Sequence, residues 1–201
     1  MKIMLDASPS KIVEYRHRYG VDFWQLRTPL TSYCRAKGIP YGLDNGCFRL
    51  FDRPTWDRLL KDAETDTPVF ACLPDIVGDA QRTIELFEAF KQHTNSIPRA
   101  LVLQNGIERV RIPWDDLAAV FIGGDDHFKY SSEAIRTART AKMLGKWVHV
   151  GRVNTARRVF TWLGVADSCD GSGISRYDHM LEDVVRAIAG EHPQRLMELH
   201  Q

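Results

Sequence analysis

The chain has 201 residues, 44% of them hydrophobic, and 27 Lys and Arg against 26 Asp and Glu leave a formal charge of only +1. That is enough for one sizeable core, so a single compact α/β domain over residues 1–201 is the default. The near-neutral total gives no whole-protein attraction for nucleic acid and leaves only a local basic patch as a route to it.

No apolar stretch is long enough to span a bilayer. The start, MKIMLDASPS, turns acidic after a short apolar run and reads as a strand rather than a signal peptide. These features predict a cytoplasmic protein with no membrane partner. Cys34, Cys47, Cys72 and Cys169 are widely spaced, form no CxxC pair, and read as reduced thiols.

In chain order, apolar runs predict eight strands: Lys2–Leu5, Val21–Leu26, Pro40–Leu43, Pro68–Leu73, Ala100–Leu103, Ala118–Ile122, Trp147–Val150 and Leu163–Ala166. Helical spacing of apolar residues predicts helices over Pro9–Tyr19, Pro54–Ala63, Asp79–Lys91, Ser132–Leu144, Thr155–Trp162 and Tyr177–Ile188. Ser8 is a natural N-cap with Pro9 at the first helical position, and Gly145 is a natural stop. The tail EHPQRLMELHQ reads as a last helix or a frayed end. Such alternation argues for parallel strands with crossover helices. Eight units fit a compact (β/α)8 TIM-like barrel, and an open doubly wound parallel sheet is the alternative. In either fold the loops after the strands form the active face.

Acidic and glycine-rich segments sit in those loops. Asp44 opens DNGCF, where it serves either as a general acid/base or as the cap of its own turn. Phe48 reads as a core aromatic or as a stacking platform. Asp75, in LPDIVGD, is a helix cap or a hydrogen-bond acceptor for the N–H edge of a purine, and Asp79 reads as a first-turn helix acid. Gln104 and Asn105 end LVLQNG with two amides, which suit a nucleobase edge or simply satisfy the loop. Gly123 and Gly124 allow a flat ligand to approach the backbone. No GxGxxG or Walker A pattern is present, and no cofactor is expected. Asp125, Asp126, His127 and His149 are the only candidates for a metal, but adjacent carboxylates point apart, so none is expected.

In HVGRVNT, His149 and Gly151 border the site and Arg152 is placed to contact phosphate. Thr155 caps a helix whose free N–H groups favour an anion. Arg157 and Arg158 extend a positive rim or are solvated helix arginines. ADSCDGSG carries Asp167 and Asp170, either of which could attack an anomeric carbon while Asp44 manages protons. Cys169 is not the expected nucleophile, because no histidine is near it in sequence. Arg176 closes a phosphate site or pairs with Asp178.

In this order the motifs resemble the tRNA-guanine transglycosylase superfamily, and most nearly its small DpdA-type relatives, which place 7-deazaguanine bases into DNA in phages and bacterial genomic islands. Asp44-Asn45-Gly46-Cys47-Phe48 looks like the family's DSGGF-type motif and Leu103-Gln104-Asn105-Gly106 like its VQGG-type segment. Gly123-Gly124 looks like its GG pair, His149-Val150-Gly151 like its later glycine loop, and Asp75 like its base-reading aspartate. Asp170 holds the place of the catalytic aspartate, with Asp167 as the alternate alignment.

The likeness spans roughly residues 40–175. Cys47 and Asn105 replace family glycines, and the C-terminal zinc site of the tRNA enzymes is missing. The resemblance implies a DNA-guanine transglycosylase that exchanges guanine for a free 7-deazaguanine such as 7-cyano-7-deazaguanine (preQ0) through a covalent aspartyl intermediate. Catalysis would fall to Asp44 and Asp170 or Asp167. Base binding would fall to Phe48, Asp75, Gln104, Gly123, Gly124, His149 and Gly151, and phosphate binding to Arg152, Arg157 and Arg176. DNA and the free base are then the partners, with a helper protein for DNA engagement; the oligomeric state is left open. The rival readings are a tRNA-guanine transglycosylase, a nucleoside-processing glycosidic hydrolase, and a non-catalytic nucleic-acid-binding accessory subunit in which Asp44 and Asp170 diverge.

Overall fold

Eight strands pair in sequence order, all parallel, and close on themselves. They are β1 (Lys2–Leu5), β2 (Trp24–Arg27), β3 (Tyr41–Leu43), β4 (Phe70–Cys72), β5 (Arg99–Leu103), β6 (Ala119–Ile122), β7 (Trp147–Val150) and β8 (Ser168–Cys169). Closure comes from β8, which pairs with β7 through His149–Ser168 and with β1 through Lys2–Ser168. The chain is therefore a (β/α)8 barrel and not an open sheet. The computed structural model describes residues 1–94 and 96–191; the expectation for the tail beyond Glu191 lies outside the described residues.

The helices are α1 (Pro9–Tyr19), α2 (Arg53–Ala63), α3 (Ala80–Phe90), α4 (Asp126–Lys129), α5 (Ser132–Met143), α6 (Ala156–Trp162), α7 (Ser172–Arg176) and α8 (Asp178–Ala189). Their starts follow local chemistry. Ser8, Asp52, Asp79, Asp125, Ser131 and Thr155 each accept a backbone N–H of the first turn. Asp79 is thus a cap rather than a first-turn acid.

Side chains alternate along each strand. Met4, Leu26, Phe70, Cys72, Val102 and Ala119 point into the barrel. Ile3, Leu5, Leu43, Leu101, Val120 and Val148 point out and pack beneath the helices. The floor is closed by Trp24 stacked on Trp147, with ring centroids 5.6 Å apart. Where β2 leads to β3 no helix intervenes. A buried amide holds that connection instead: Gln25 Nε2 donates to the carbonyls of Ala7 and Cys34, and its Oε1 accepts the N–H of Ala36 at 2.8 Å.

The last strand departs from the sequence reading. Leu163–Ala166 forms a turn that finishes α6, with the N–H groups of Val165 and Ala166 both donating to the carbonyl of Trp162. The strand is the two-residue segment that follows. Asp167 therefore precedes β8 and lies at the opposite end of the barrel from Asp44 and Asp170. There it pairs with Lys142 at 2.6 Å and accepts the Val148 N–H at 2.8 Å. Its expected catalytic role is corrected to a structural one.

Gly42 is the inward position of β3. A Cβ there would lie 2.6 Å from Phe70 Cζ, so the ring fills the barrel only because no side chain opposes it. Gly42→Ala is expected to cost about 1–3 kcal/mol through overpacking, measured by urea unfolding. Phe70→Leu in the same chain should recover part of the loss. A single variant as stable as the parent would rule out this steric constraint.

Candidate active site

The mouth of the barrel, at the C-terminal ends of the strands, holds a cavity of about 300 Å³ to which every strand end contributes. Its carboxylates are Asp6, Asp44, Asp75 and Asp170, and its cations are Lys129, Arg152 and Arg176. Asp44 and Asp170 are held by the sheet itself: the Asp44 N–H donates to Arg27 O and the Asp170 N–H to Val150 O.

Asp44 is enclosed by protein except where it meets the cavity. Burial first, and then the charges of Asp170 and Asp75, raise its pKa to about 7 against the opposing effect of the Asn45 and Gly46 N–H groups. Burial also raises Asp6, whose Oδ1 accepts the Thr31 hydroxyl at 2.7 Å. Lys129 is only 3% exposed. Its Nζ donates to Gly151 O at 2.5 Å and Ile122 O at 3.2 Å, and desolvation, then the Arg152 charge, lowers its pKa to about 7. A carboxyl and an amine that both change charge near neutrality thus share one cavity, a pattern concentrated in sites of proton transfer.

One wall is an amide–carboxylate network. Asp75 accepts Asn45 Nδ2 at 2.8 Å and Gln104 Nε2 at 2.5 Å. Gln104 Oε1 accepts the N–H groups of Gly78 and Gly124 at 2.8 and 2.9 Å. Asn45 also donates to Leu73 O and accepts the Cys47 N–H. Gln104 is therefore occupied within the protein and keeps one amide hydrogen for anything else; its expected role as a base reader is corrected to that of a brace.

The opposite wall carries Asp170, whose Oδ1 lies 3.1 Å from His149 Nε2. His149 lies in β7, within the predicted strand, and not in the HVGRVNT loop at the edge of the site. It is the inward residue of β7, fully buried beneath the cavity between Phe70 and Phe121, and it cannot touch a ligand as expected.

Among the arginines, Arg152 has a left-handed backbone (φ 61°), the one non-glycine case among the described residues. Its Nη2 donates to Gly124 O at 2.5 Å, and its guanidinium lies 4.4 Å from the centre of the Phe48 ring. Phe48 is 61% exposed at the rim, which rules out a core role. Gly123, Gly124 and Gly151 line the cavity as backbone. Arg176 also lines it and has no ion pair among the described residues; Asp178 binds Arg18 and Tyr15 instead. Arg157 is excluded from the site: it lies over Tyr130 and does not line the cavity. The expected anion position at the start of α6 is taken, because Asp183 accepts the Ala156 N–H at 3.0 Å.

Asp125 caps α4 and Asp126 pairs with Arg158, so the acidic run after β6 does not converge. Among the described residues no group of three or more His, Cys, Asp or Glu could hold a metal ion, and no helix is long and apolar enough to cross a membrane. All four cysteines are free, and burial raises the Cys47 thiol to about 12.

Sequence reading missed Asp6, Asn45 as a network member, and Lys129. Asp6 carried the same signal as Asp44, an acid directly after an apolar run. Lys129 carried none, since a lysine in a charged helical turn reads as solvated.

No protein-family model matches the sequence, and no curated protein does. Among solved structures the chain is similar to 3-keto-L-gulonate-6-phosphate decarboxylase from Vibrio cholerae O1 biovar El Tor, at 10% identity and a TM-score of 0.53, with 95% of each chain covered. It is also similar to KGPDC from Streptococcus mutans, at 10% identity and a TM-score of 0.50, with 94% of this chain and 95% of that one covered. At this identity the likeness is one of fold, and both are (β/α)8 barrels.

These neighbours overturn the transglycosylase resemblance. With it go guanine exchange, its tRNA and hydrolase variants, and DNA, 7-deazaguanine and a helper protein as partners. The physical reason is that any parallel barrel collects aspartates and glycines after its strands, as caps and turns. Short motifs of those residues in strand order therefore mark the architecture rather than one chemistry. The accessory-subunit reading fails separately, because Asp44 and Asp170 line one cavity.

The two displaced groups give opposite stability profiles. Folded Asp44 keeps a proton that the unfolded chain, at the ordinary 3.8, has released. Its contribution therefore falls as pH rises from about 4 to 7, by about 1.4 kcal/mol per pH unit. Lys129 has released a proton that the unfolded chain holds up to the ordinary 10.5, so its contribution rises with pH from about 7 and its penalty is complete below that. Asp44→Asn should raise Tm at pH 8 and leave it nearly unchanged at pH 4. Lys129→Met should raise Tm at pH 6, with the gain fading toward pH 10. Calorimetry across pH checks both, and parallel profiles for parent and variants would contradict the assignment.

Proposed function

We propose that this barrel is an enzyme of proton-transfer chemistry on a small phosphorylated carbohydrate, acting at the carbon next to a carbonyl group. The observation that carries the reading is the shared placement of Asp44 and Lys129 in one mouth cavity, each displaced toward neutrality. In this reading Asp44, as the carboxylate, removes the proton from carbon. The Lys129 ammonium, fixed by two carbonyls, faces the oxyanion that develops on the substrate. Proton return from Asp44 to the enolate completes the exchange. An acid near pH 7 serves both directions.

Arg152 and Arg176 are the groups for the phosphate. Two of the first N–H groups of α7, those of Gly173 and Ile174, are taken within the protein, because Asn154 Oδ1 accepts both. The volume suits a small molecule, being at the lower end of ordinary ligand pockets. The substrate class also agrees with the name of one similar barrel, 3-keto-L-gulonate-6-phosphate decarboxylase.

The test is a panel of five- and six-carbon keto and aldo sugar phosphates and phosphorylated sugar acids in D2O. Proton NMR follows loss of the C–H signal, and a coupled assay follows CO2. Exchange or decarboxylation of at least one member is expected, with a bell-shaped rate profile centred near pH 7. Asp44→Asn should lower the rate by ~10²–10⁴-fold. Arg176→Ala should chiefly raise KM. No turnover of any member by folded protein, or full activity in Asp44→Asn, would sink the reading.

A further inference from the structure

Beneath the cavity, inside the barrel, four polar side chains stand in line. Trp147 Nε1 lies 2.8 Å from Ser168 Oγ, Ser168 Oγ lies 2.8 Å from His149 Nδ1, and His149 Nε2 lies 3.1 Å from Asp170 Oδ1. Ser168 and His149 have no exposed surface. The composition is Ser, His and Asp, but Ser168 is sealed from the cavity and cannot be a nucleophile.

The direction of the chain follows from what each group can donate. The Trp147 indole N–H is a donor only, so Ser168 Oγ accepts it. The Ser168 hydroxyl hydrogen then needs an acceptor, and His149 Nδ1 is the only one within reach among the described residues. A proton on Nδ1 would leave that hydroxyl hydrogen buried and unbonded, at the full desolvation cost of an orphaned donor. Nδ1 is therefore bare, and the neutral ring carries its hydrogen on Nε2, pointing at Asp170. Phe70 and Phe121 hold the ring plane, with centroids 5.0 and 4.6 Å from that of the imidazole.

We propose that Trp147, Ser168 and His149 form a one-way hydrogen-bond relay that fixes His149 as its Nε2–H tautomer and uses it to position Asp170 at the cavity wall. Oδ1 is held from below, and Oδ2 is the oxygen left for substrate. His149 is a positioning residue that touches no ligand. The tautomer stands on the hydrogen bonds alone; the consequence for catalysis rests on the proposed function.

The first measurement needs no substrate. In ¹⁵N-labelled protein the His149 ring should show a pyridine-type Nδ1 and a pyrrole-type Nε2 bearing a slowly exchanging downfield proton. Ser168→Ala removes the hydroxyl that selects this tautomer. It should broaden or shift both nitrogen signals toward mixed-tautomer values, while backbone shifts away from β7 and β8 stay in place. His149→Phe keeps the packing and removes both bonds, and His149→Gln restores an N–H donor in the place of Nε2.

With a working substrate, His149→Phe should lower kcat by about 10–100-fold, the size of loss known for an outer hydrogen-bond partner of a residue that lines a reaction site. KM should be little changed, and His149→Gln should recover most of the loss. A proton on Nδ1 in the parent, or ring nitrogens unmoved by Ser168→Ala, would overturn the relay itself. Equal losses in His149→Phe and His149→Gln, with the Nε2–H tautomer confirmed, would overturn only its role in positioning Asp170. Failure of the sugar-phosphate panel would leave the nitrogen measurement decisive.

Discussion

The side-chain amide of Gln104 fixes the geometry of half the barrel mouth. One hydrogen holds Asp75 from β5, and its oxygen gathers the backbone of Gly78, beyond β4, and Gly124, beyond β6. Asp75 passes the restraint to Asn45 and so to the loop after β3. Four consecutive loops are thereby tied by groups that have almost no water to fall back on. Loss of any member strands its partners in a buried setting, which makes such a network stiff and its geometry specific. Asp44 sits beside Asn45 and its position depends on that stiffness.

The charge balance of the mouth follows from burial. Four carboxylates around one small cavity cannot all be ionised cheaply: burial raises Asp6, Asp44 and Asp75, and Asp44 is raised further by facing both Asp170 and Asp75. On the opposing side Lys129 is pressed between desolvation and the Arg152 charge. The arginines stand at the rim, where Arg152 also rests on Phe48. The groups displaced toward neutrality thus lie inside the mouth and the arginines at its edge, an ordering suited to a substrate with a reactive centre inside and a fixed anion outside.

Much of the barrel was legible in the sequence, for a reason that also explains the misses. Parallel strands buried on both faces are continuous apolar runs, and seven of the eight strands announced themselves that way. Ser168–Cys169 did not. It is two residues long, and Ser168 faces inward to serve His149 rather than to fill space. The stronger apolar run just before it, Leu163–Ala166, took its place and carried Asp167 to the wrong end of the barrel.

The acids at strand ends were legible because a short strand followed by a cap leaves few positions for them. Lys129 was not, since its burial is created by strands β6 and β7 closing over α4. Nor did the sequence reveal that His149 points down and Gln104 sideways. Those directions come from the pleat and from partners 19 to 29 residues away. The family resemblance failed for a related reason, because residues that every barrel needs at its strand ends were read as residues of one chemistry.

The two-residue length of β8 bears on how the molecule is built in time. The Asn45–Asp75–Gln104–Gly124 side of the mouth comes from one continuous stretch of chain, with separations of 20 to 30 residues between partners. The other side brings together Asp6 and Ser175, 169 residues apart, and depends on β1 meeting β8 across the seam. Joining distant segments carries the larger entropic cost. During synthesis the first half can knit as it emerges from the ribosome. The seam must wait for the last strand, which brings only two residues to the junction. Asp170 and its buried histidine then enter the molecule last, onto a wall already set.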